Sequence, residues 1–107
     1  MGNPTYMLVN ATGTAAPVIL DWTLVPFNAS FAVEMQGNTT ATFGVQFTLD
    51  DPTTATPKWF YDSNVGQNST ATFVGNYIAP VRAVRLETVS LTSGGSIIFA
   101  VLQGLPV

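Results

Sequence analysis

The chain has 107 residues, a net charge of −3 from three basic and six acidic side chains, and neither cysteine nor histidine. Residues 1–107 are enough for one domain with its own core, while the missing residue types exclude disulfides, thiolate metal sites and catalysis by thiol or imidazole. Lys58, Arg82 and Arg85 are the only bases, which excludes a nucleic-acid footprint, and no apolar run approaches the roughly 18 residues of a membrane span.

Charged residues make up 8% of the chain and hydrophobic ones 47%, against about 25% charged in an ordinary soluble domain. Two readings fit: a β-rich protein whose outer faces are neutral polar, or a subunit that lives in an assembly. The opening MGNPTYMLVN has no basic head and no apolar stretch, so it reads as a protein made in the cytosol. The four Asn-X-Ser/Thr sequons, at Asn10, Asn28, Asn38 and Asn68, read as accidents of composition.

After a polar lead over residues 1–5, Tyr6 to Asn10 is a short strand, ended by Ala11-Thr12-Gly13-Thr14. Alternation from Val18 to Val25 predicts a strand with Val18, Leu20, Trp22 and Leu24 toward the core, stopped by Pro26, which has no N–H to donate. Phe31, Val33 and Met35 alternate with Ala32 and Glu34, and Gln36-Gly37-Asn38 turns the chain. The cleanest period-2 pattern follows, with Phe43, Val45, Phe47 and Leu49 on the core side against Thr42, Gly44, Gln46 and Thr48. Two prolines and a polar cluster make Asp50 to Pro57 a loop. Lys58 to Tyr61 is a brief aromatic strand, Asp62 to Gln67 a second loop, and Asn68 to Val74 a weakly alternating strand, from which Gly75 to Pro80 leads onward.

Pro80 to Gln103 reads as a hairpin, because two apolar-rich runs flank Ser93-Gly94-Gly95-Ser96 and both glycines tolerate the positive φ of a tight primed turn. On the first arm Val84 and Leu86 face one way and Ala83, Arg85 and Glu87 the other. The second arm is apolar on both faces: Ile97, Phe99 and Val101 alternate with Ile98, Ala100 and Leu102. Such a strand needs cover on both sides. Residues 104–107 are expected to be an extended tail. About eight short strands with regular turn signals, and no sustained helical period, specify an all-β fold, a compact antiparallel β-sandwich with a jelly-roll arrangement favoured over an immunoglobulin-like one.

Little in the chain points to chemistry. Asp50, Asp51 and Asp62 flank the aromatic strand and are candidate paired carboxylates or, with Asn64, a calcium site. Asp50-Asp51-Pro52 is more simply a turn cap, and the spaced oxygens of an EF-hand loop are missing. Trp59, Phe60 and Tyr61 with Asp62 form a candidate sugar-stacking platform, although closure of the core by one or two of these rings is the plainer reading. Arg82 and Arg85 fall on different faces and make no joint phosphate clamp, and Arg85 is expected to pair across the sheet or reach a partner. Gly94-Gly95 lacks the helix and lysine of a phosphate loop. No catalytic residue, cofactor or metal is therefore expected. What remains is apolar excess in Ile97 to Leu102, Tyr77 to Val81 and the tail, which favours an oligomer interface as strongly as an ordinary core.

The segment FTLDDPTTATPKWFYDSN, with YIAPVRAVRLETVSLTSGGSIIFAVLQG after it, resembles small structural proteins of tailed bacteriophages, in which an F-D/T-x-D-D-P loop, a Trp and a closing PVRA-(I/V)-RL hairpin recur. The matching positions are Phe47 to Pro52, Trp59, and Pro80 to Leu86 with Val101, Leu102 and Gln103. The resemblance implies a virion component that acts without catalysis: a capsid decoration (cement) protein, or another head or tail accessory, of compact β-fold and commonly trimeric. The expectation is a decoration protein that binds the outer capsid surface and stabilises junctions between major capsid subunits. It would be homo-oligomeric and located in the virion after assembly in the host bacterial cytoplasm. Expected partner contacts are Tyr77, Ile78, Arg82, Arg85, Leu105, Pro106 and Val107. The alternative is a tail or vertex component with a carbohydrate-binding role in host recognition, using Trp59, Tyr61 and Asp62. An enzyme using Asp50, Asp51 and Asp62 is a weaker third reading.

Overall fold

The structure, a computed structural model, describes residues 5–23, 25–66 and 68–104. These residues form nine strands and no helix: β1 Thr5–Val9, β2 Gly13–Thr14, β3 Val18–Ile19, β4 Ala29–Met35, β5 Ala41–Thr48, β6 Trp59–Tyr61, β7 Phe73–Tyr77, β8 Ala83–Leu91 and β9 Ile97–Gln103. One antiparallel sheet has the order β1-β9-β4-β7; the other has the order β2-β8-β5-β6, with β3 also on β8. The all-β sandwich expected from the alternation is what the chain forms. Strands adjacent in a sheet are mostly distant in sequence, and β5 with β6 is the one consecutive pair among the described strands.

The inward phase of each strand supplies the core. Phe31, Val33, Ile97, Phe99 and Val101 come from the four-stranded sheet, and Phe43, Val45, Val84 and Leu86 from the five-stranded one; all are buried. Register places Val33 beside Phe99 and Val45 beside Leu86, so each inward row is apolar across its sheet. Burying a side chain of this size stabilises the fold by about 1.5–3 kcal/mol.

Pro80 to Gln103 is not a hairpin. β8 lies in the five-stranded sheet and β9 in the four-stranded one, so the glycine turn is an arch that carries the chain across the core. A type I′ turn needs positive φ at both central positions, and here Gly94 has a φ of 78° while Gly95 does not lie in that region. Gly95 serves close approach instead, since a Cβ there would sit 2.9 Å from both Thr39 Cγ2 and the Thr92 carbonyl oxygen. The arch docks on the β4–β5 turn, where the Thr92 hydroxyl donates to the Thr40 carbonyl at 2.7 Å and the Ser96 N–H to the Thr39 hydroxyl at 3.0 Å.

Other elements differ from expectation for local reasons. The strand expected from Val18 to Val25 stops at Ile19. Asp21 accepts from the Thr23 N–H and hydroxyl, and the Gln103 amide bonds both the N–H and the carbonyl of Asp21, so the backbone leaves the ladder. Leu20 is still buried, but Trp22, expected in the core, is 48% exposed, and Leu24 lies outside the described residues. The strand expected over Asn68 to Val74 lies at Phe73–Tyr77. Thr5 belongs to β1, opposite Val101, and Gly13–Thr14, expected as a loop, pairs with β8. Leu49 lies past the end of β5 and is exposed.

Candidate functional site

The same alternation that fills the core leaves an outward phase on the four-stranded sheet. Tyr6, Ala100, Ala32 and Val74 form one row across all four strands, and Leu8, Ile98 and Glu34 form the next. Tyr6 and Val74 are each 70% exposed, Leu8 63% and Leu102 40%. Glu34 is the one charged side chain on these four strands. The two-faced apolar character of β9 thus has two causes: Ile97, Phe99 and Val101 are core, while Ile98, Ala100 and Leu102 belong to an open apolar surface. Continuous apolar faces of this kind mark interaction sites. Tyr6, Leu8 and Val74 were not singled out from the sequence. Their signal was present, since each occupies the phase opposite to a buried neighbour on its strand or on the strand beside it.

The outer face of the five-stranded sheet is different in kind. Trp59 and Tyr61 alternate with Phe60 along β6, so the two polar-tipped rings share the outward face while Phe60 turns toward Phe47, with ring centres 5.8 Å apart. The Arg85 guanidinium lies 4.0 Å from the Trp59 ring centre and its Nε donates to Gln46 Oε1 at 2.6 Å. The Tyr61 hydroxyl donates to Glu87 Oε1 at 2.6 Å. That bond, followed by partial burial and the Glu87 charge, raises the Tyr61 pKa, and partial burial lowers that of Arg85. Arg85 therefore pairs across its own sheet, one of the two roles expected for it.

At one end of the sandwich, Trp22, Leu49, Pro80 and Arg82 line a shallow notch. The Arg82 guanidinium stands 5.3 Å from the Trp22 ring centre and 3.8 Å from Asp51 Oδ2. Both ionic groups are partly exposed, so this pair contributes little to stability.

The three loop carboxylates are each engaged locally. Asp50 accepts from the Lys58 N–H at 2.8 Å, Asp51 from the Thr53 N–H and hydroxyl, and Asp62 from the Asn64 and Val65 N–H groups and, through Oδ2, from the Tyr77 hydroxyl at 2.7 Å. The Thr53 bonds hold the Asp51 pKa below the usual carboxylate range. Among the described residues no three acidic side chains gather into a metal-ligating group. Asp62 accepts from the hydroxyl of Tyr77, whose ring packs on Phe31 and Phe47, while Trp59 and Tyr61 share the outward face of β6.

Of the expected partner contacts, Ile78 is exposed, Arg82 is at the notch and Arg85 is stacked on Trp59. Tyr77 is turned inward, its ring 5.6 Å from that of Phe31 and 5.7 Å from that of Phe47. Leu105, Pro106 and Val107 lie outside the described residues. The structure thus distributes these positions over several places.

The architecture defines an all-β sandwich with an apolar and a polar-aromatic outer face. No protein-family model matches the chain, and no curated protein matches it in sequence. A solved structure of a Bacillus endospore appendage protein, described as one of a family of disulfide-linked pili, is similar over 99% of this chain and 88% of that chain, at 13% identity and a TM-score of 0.41. The present chain has no cysteine.

Proposed function

We propose that this chain is a non-enzymatic structural subunit that docks on a large protein assembly through the outer face of its four-stranded sheet. The observation that carries the reading is the row Tyr6, Ala100, Ala32 and Val74, an apolar stripe crossing all four strands with large exposed side chains at both ends. Burial of such a stripe against a partner supplies association energy by the same physics that forms the core. The resemblance of Phe47 to Pro52, Trp59 and Pro80 to Leu86 to phage structural proteins supports a virion as that assembly. In this reading the chain is a capsid decoration protein, made in the bacterial cytoplasm and bound over junctions of the major capsid protein.

The test is the copy number of the chain in purified particles, measured by quantitative mass spectrometry against the major capsid protein. Hundreds of copies are expected, and absence overturns the reading. The paired substitution Ala32→Lys with Leu102→Lys, on the two inner strands of the sheet, is expected to abolish incorporation while the chain stays folded.

A second reading, a carbohydrate-binding component of a tail or vertex appendage, is favoured by the shared outward face of Trp59 and Tyr61 with Gln46, Arg85 and Glu87 around them. It predicts a handful of copies per particle. Glycan titration should then change Trp59 fluorescence in a Trp22→Phe background.

A further inference from the structure

The two edges of the four-stranded sheet are built alike. β1 and β7 each have five residues, and neither contains a charged residue or a proline. Edge strands are ordinarily guarded by charge, proline, a bulge or short length, because their free N–H and C=O groups template pairing with another chain. The five-stranded sheet follows that rule. Its outlying strands β2 and β3 have two residues each, and β6 has three. Among the described residues, only the sheet with the apolar outer face leaves longer, uncharged edges on both sides.

The edges are also complementary in sense and register. β1 is antiparallel to β9, β9 to β4 and β4 to β7, so β1 and β7 run in opposite directions. A second copy shifted along the sheet, without being turned over, therefore presents its β1 antiparallel to the β7 of the first. The row Tyr6, Ala100, Ala32, Val74 then continues across the junction, setting Val74 beside Tyr6 of the second copy. An aromatic side chain opposite a β-branched one is a favourable cross-strand pair. Neither edge strand carries an ionic side chain and Glu34 lies on an inner strand, so the paired residues bring no charge of their own to such a junction; the carboxylate that touches β7 is Asp62, already bonded to the Tyr77 hydroxyl.

We infer that the β7 edge of one copy pairs with the β1 edge of a second, joining copies head to tail into one continued sheet. Every copy then keeps its apolar outer face on the same side, so the assembly offers one broad surface in place of several small ones. This deepens the docking reading above by naming a second copy as the lateral partner, and it is tested without the particle.

The experiment is sedimentation velocity on the purified full chain over a range of concentrations, with two edge variants. One carries Tyr6→Lys and Leu8→Lys on β1; the other carries Val74→Lys and Asn76→Lys on β7. The parent is expected to sediment above monomer mass with a concentration-dependent distribution, and each variant as a monomer. An equimolar mixture of the two variants is expected to form particles of twice the monomer mass and nothing larger, since one free β7 edge meets one free β1 edge. Circular dichroism confirms that each variant is folded. Where a lysine pair unfolds the chain, Leu8→Lys and Val74→Lys alone replace it.

A monomeric parent overturns the inference. So does a β7 variant that still associates, which would indicate pairing of β1 with itself, and so does a mixture that stays monomeric. A parent that is monomeric yet enters particles defeats the inference and leaves the docking reading standing. A parent that associates as expected but is absent from particles does the reverse.

Discussion

Arg85 on β8 stacks its guanidinium 4.0 Å from the ring centre of Trp59 on β6, across the single intervening strand β5, whose Gln46 accepts its Nε–H. The flat cation fits the ring face in a way that a lysine ammonium does not. Arg85→Ala is expected to destabilise the fold by about 1 kcal/mol, and a double-mutant cycle with Trp59→Leu to return a coupling of about 0.5–1 kcal/mol. Urea denaturation followed by circular dichroism measures both. A coupling of zero would mean that the two groups are neighbours without attraction.

Tyr77 gives a pH prediction. Its hydroxyl donates to Asp62 Oδ2 inside the sandwich margin; burial first, then that bond and the Asp62 charge, raise its pKa well above the usual tyrosine range. Ionisation therefore favours the unfolded chain, where the group titrates near its ordinary value of about 10. The stabilising contribution is complete below that pH and is lost as pH rises above it. Thermal melts from pH 8 to 11 should show a falling melting temperature for the parent and a shallower fall for Tyr77→Phe, which costs about 1 kcal/mol at neutral pH for its lost hydrogen bond. The Tyr61 pKa is raised as well, chiefly by its bond to Glu87. That group is exposed, so Tyr61→Phe should flatten the alkaline limb less. Parallel curves for Tyr77→Phe and the parent would rule out Tyr77 as the source.

Much of this sandwich is legible in the sequence wherever one strand face is buried and the other is not. Phe31 and Val33, Phe43 and Val45, and Val84 and Leu86 are inward in the structure as their alternation requires. Pairing order is not legible, because period-2 alternation says which face is apolar and nothing about which strand lies alongside. That is why Ser93-Gly94-Gly95-Ser96 reads as a hairpin turn when it is an arch between sheets. Trp22 departs from its expected place because local bonds at Asp21 outcompete the ladder. The apolar outer face was half legible: Ile98, Ala100 and Leu102 stood out on β9, whereas Tyr6, Leu8 and Val74 join them only once β1, β9, β4 and β7 are brought side by side.

Thr88 carries a polar atom where the core wants none. Register shifts between Thr42 and Phe43, so that Thr42 faces Ser90 and Phe43 faces Thr88, with Val89 the extra residue of a β-bulge. Thr88 itself continues the inward phase of Val84 and Leu86, and its hydroxyl is buried with no hydrogen-bond partner among the described residues. Thr88→Val keeps the shape and removes the desolvated group, and should stabilise the fold by about 1 kcal/mol. An unchanged or lowered denaturation midpoint would show that the hydroxyl has a partner in solution.

Gly75 is opposite Phe31 across β4 and β7, and the ring fills the space above it. A Cβ built at Gly75 would lie 2.5 Å from both Phe31 Cε2 and Cζ and 3.2 Å from Phe73 Cε2. The Phe31 ring has little freedom to withdraw, since Tyr77 stacks on it at 5.6 Å and Phe99 and Phe73 adjoin it at 6.3 and 6.2 Å. A glycine in an edge strand lacks a side chain to pack, and here the aromatic ring from the neighbouring strand takes that place. Gly75→Ala is therefore expected to cost about 1–3 kcal/mol through overpacking, despite alanine's lower conformational freedom in the unfolded chain. Adding Phe31→Leu to that variant should recover part of the loss, because the smaller side chain vacates the clash. Chemical denaturation of the two single variants and the double variant decides it. A Gly75→Ala protein as stable as the parent would show that the ring does not hold this position.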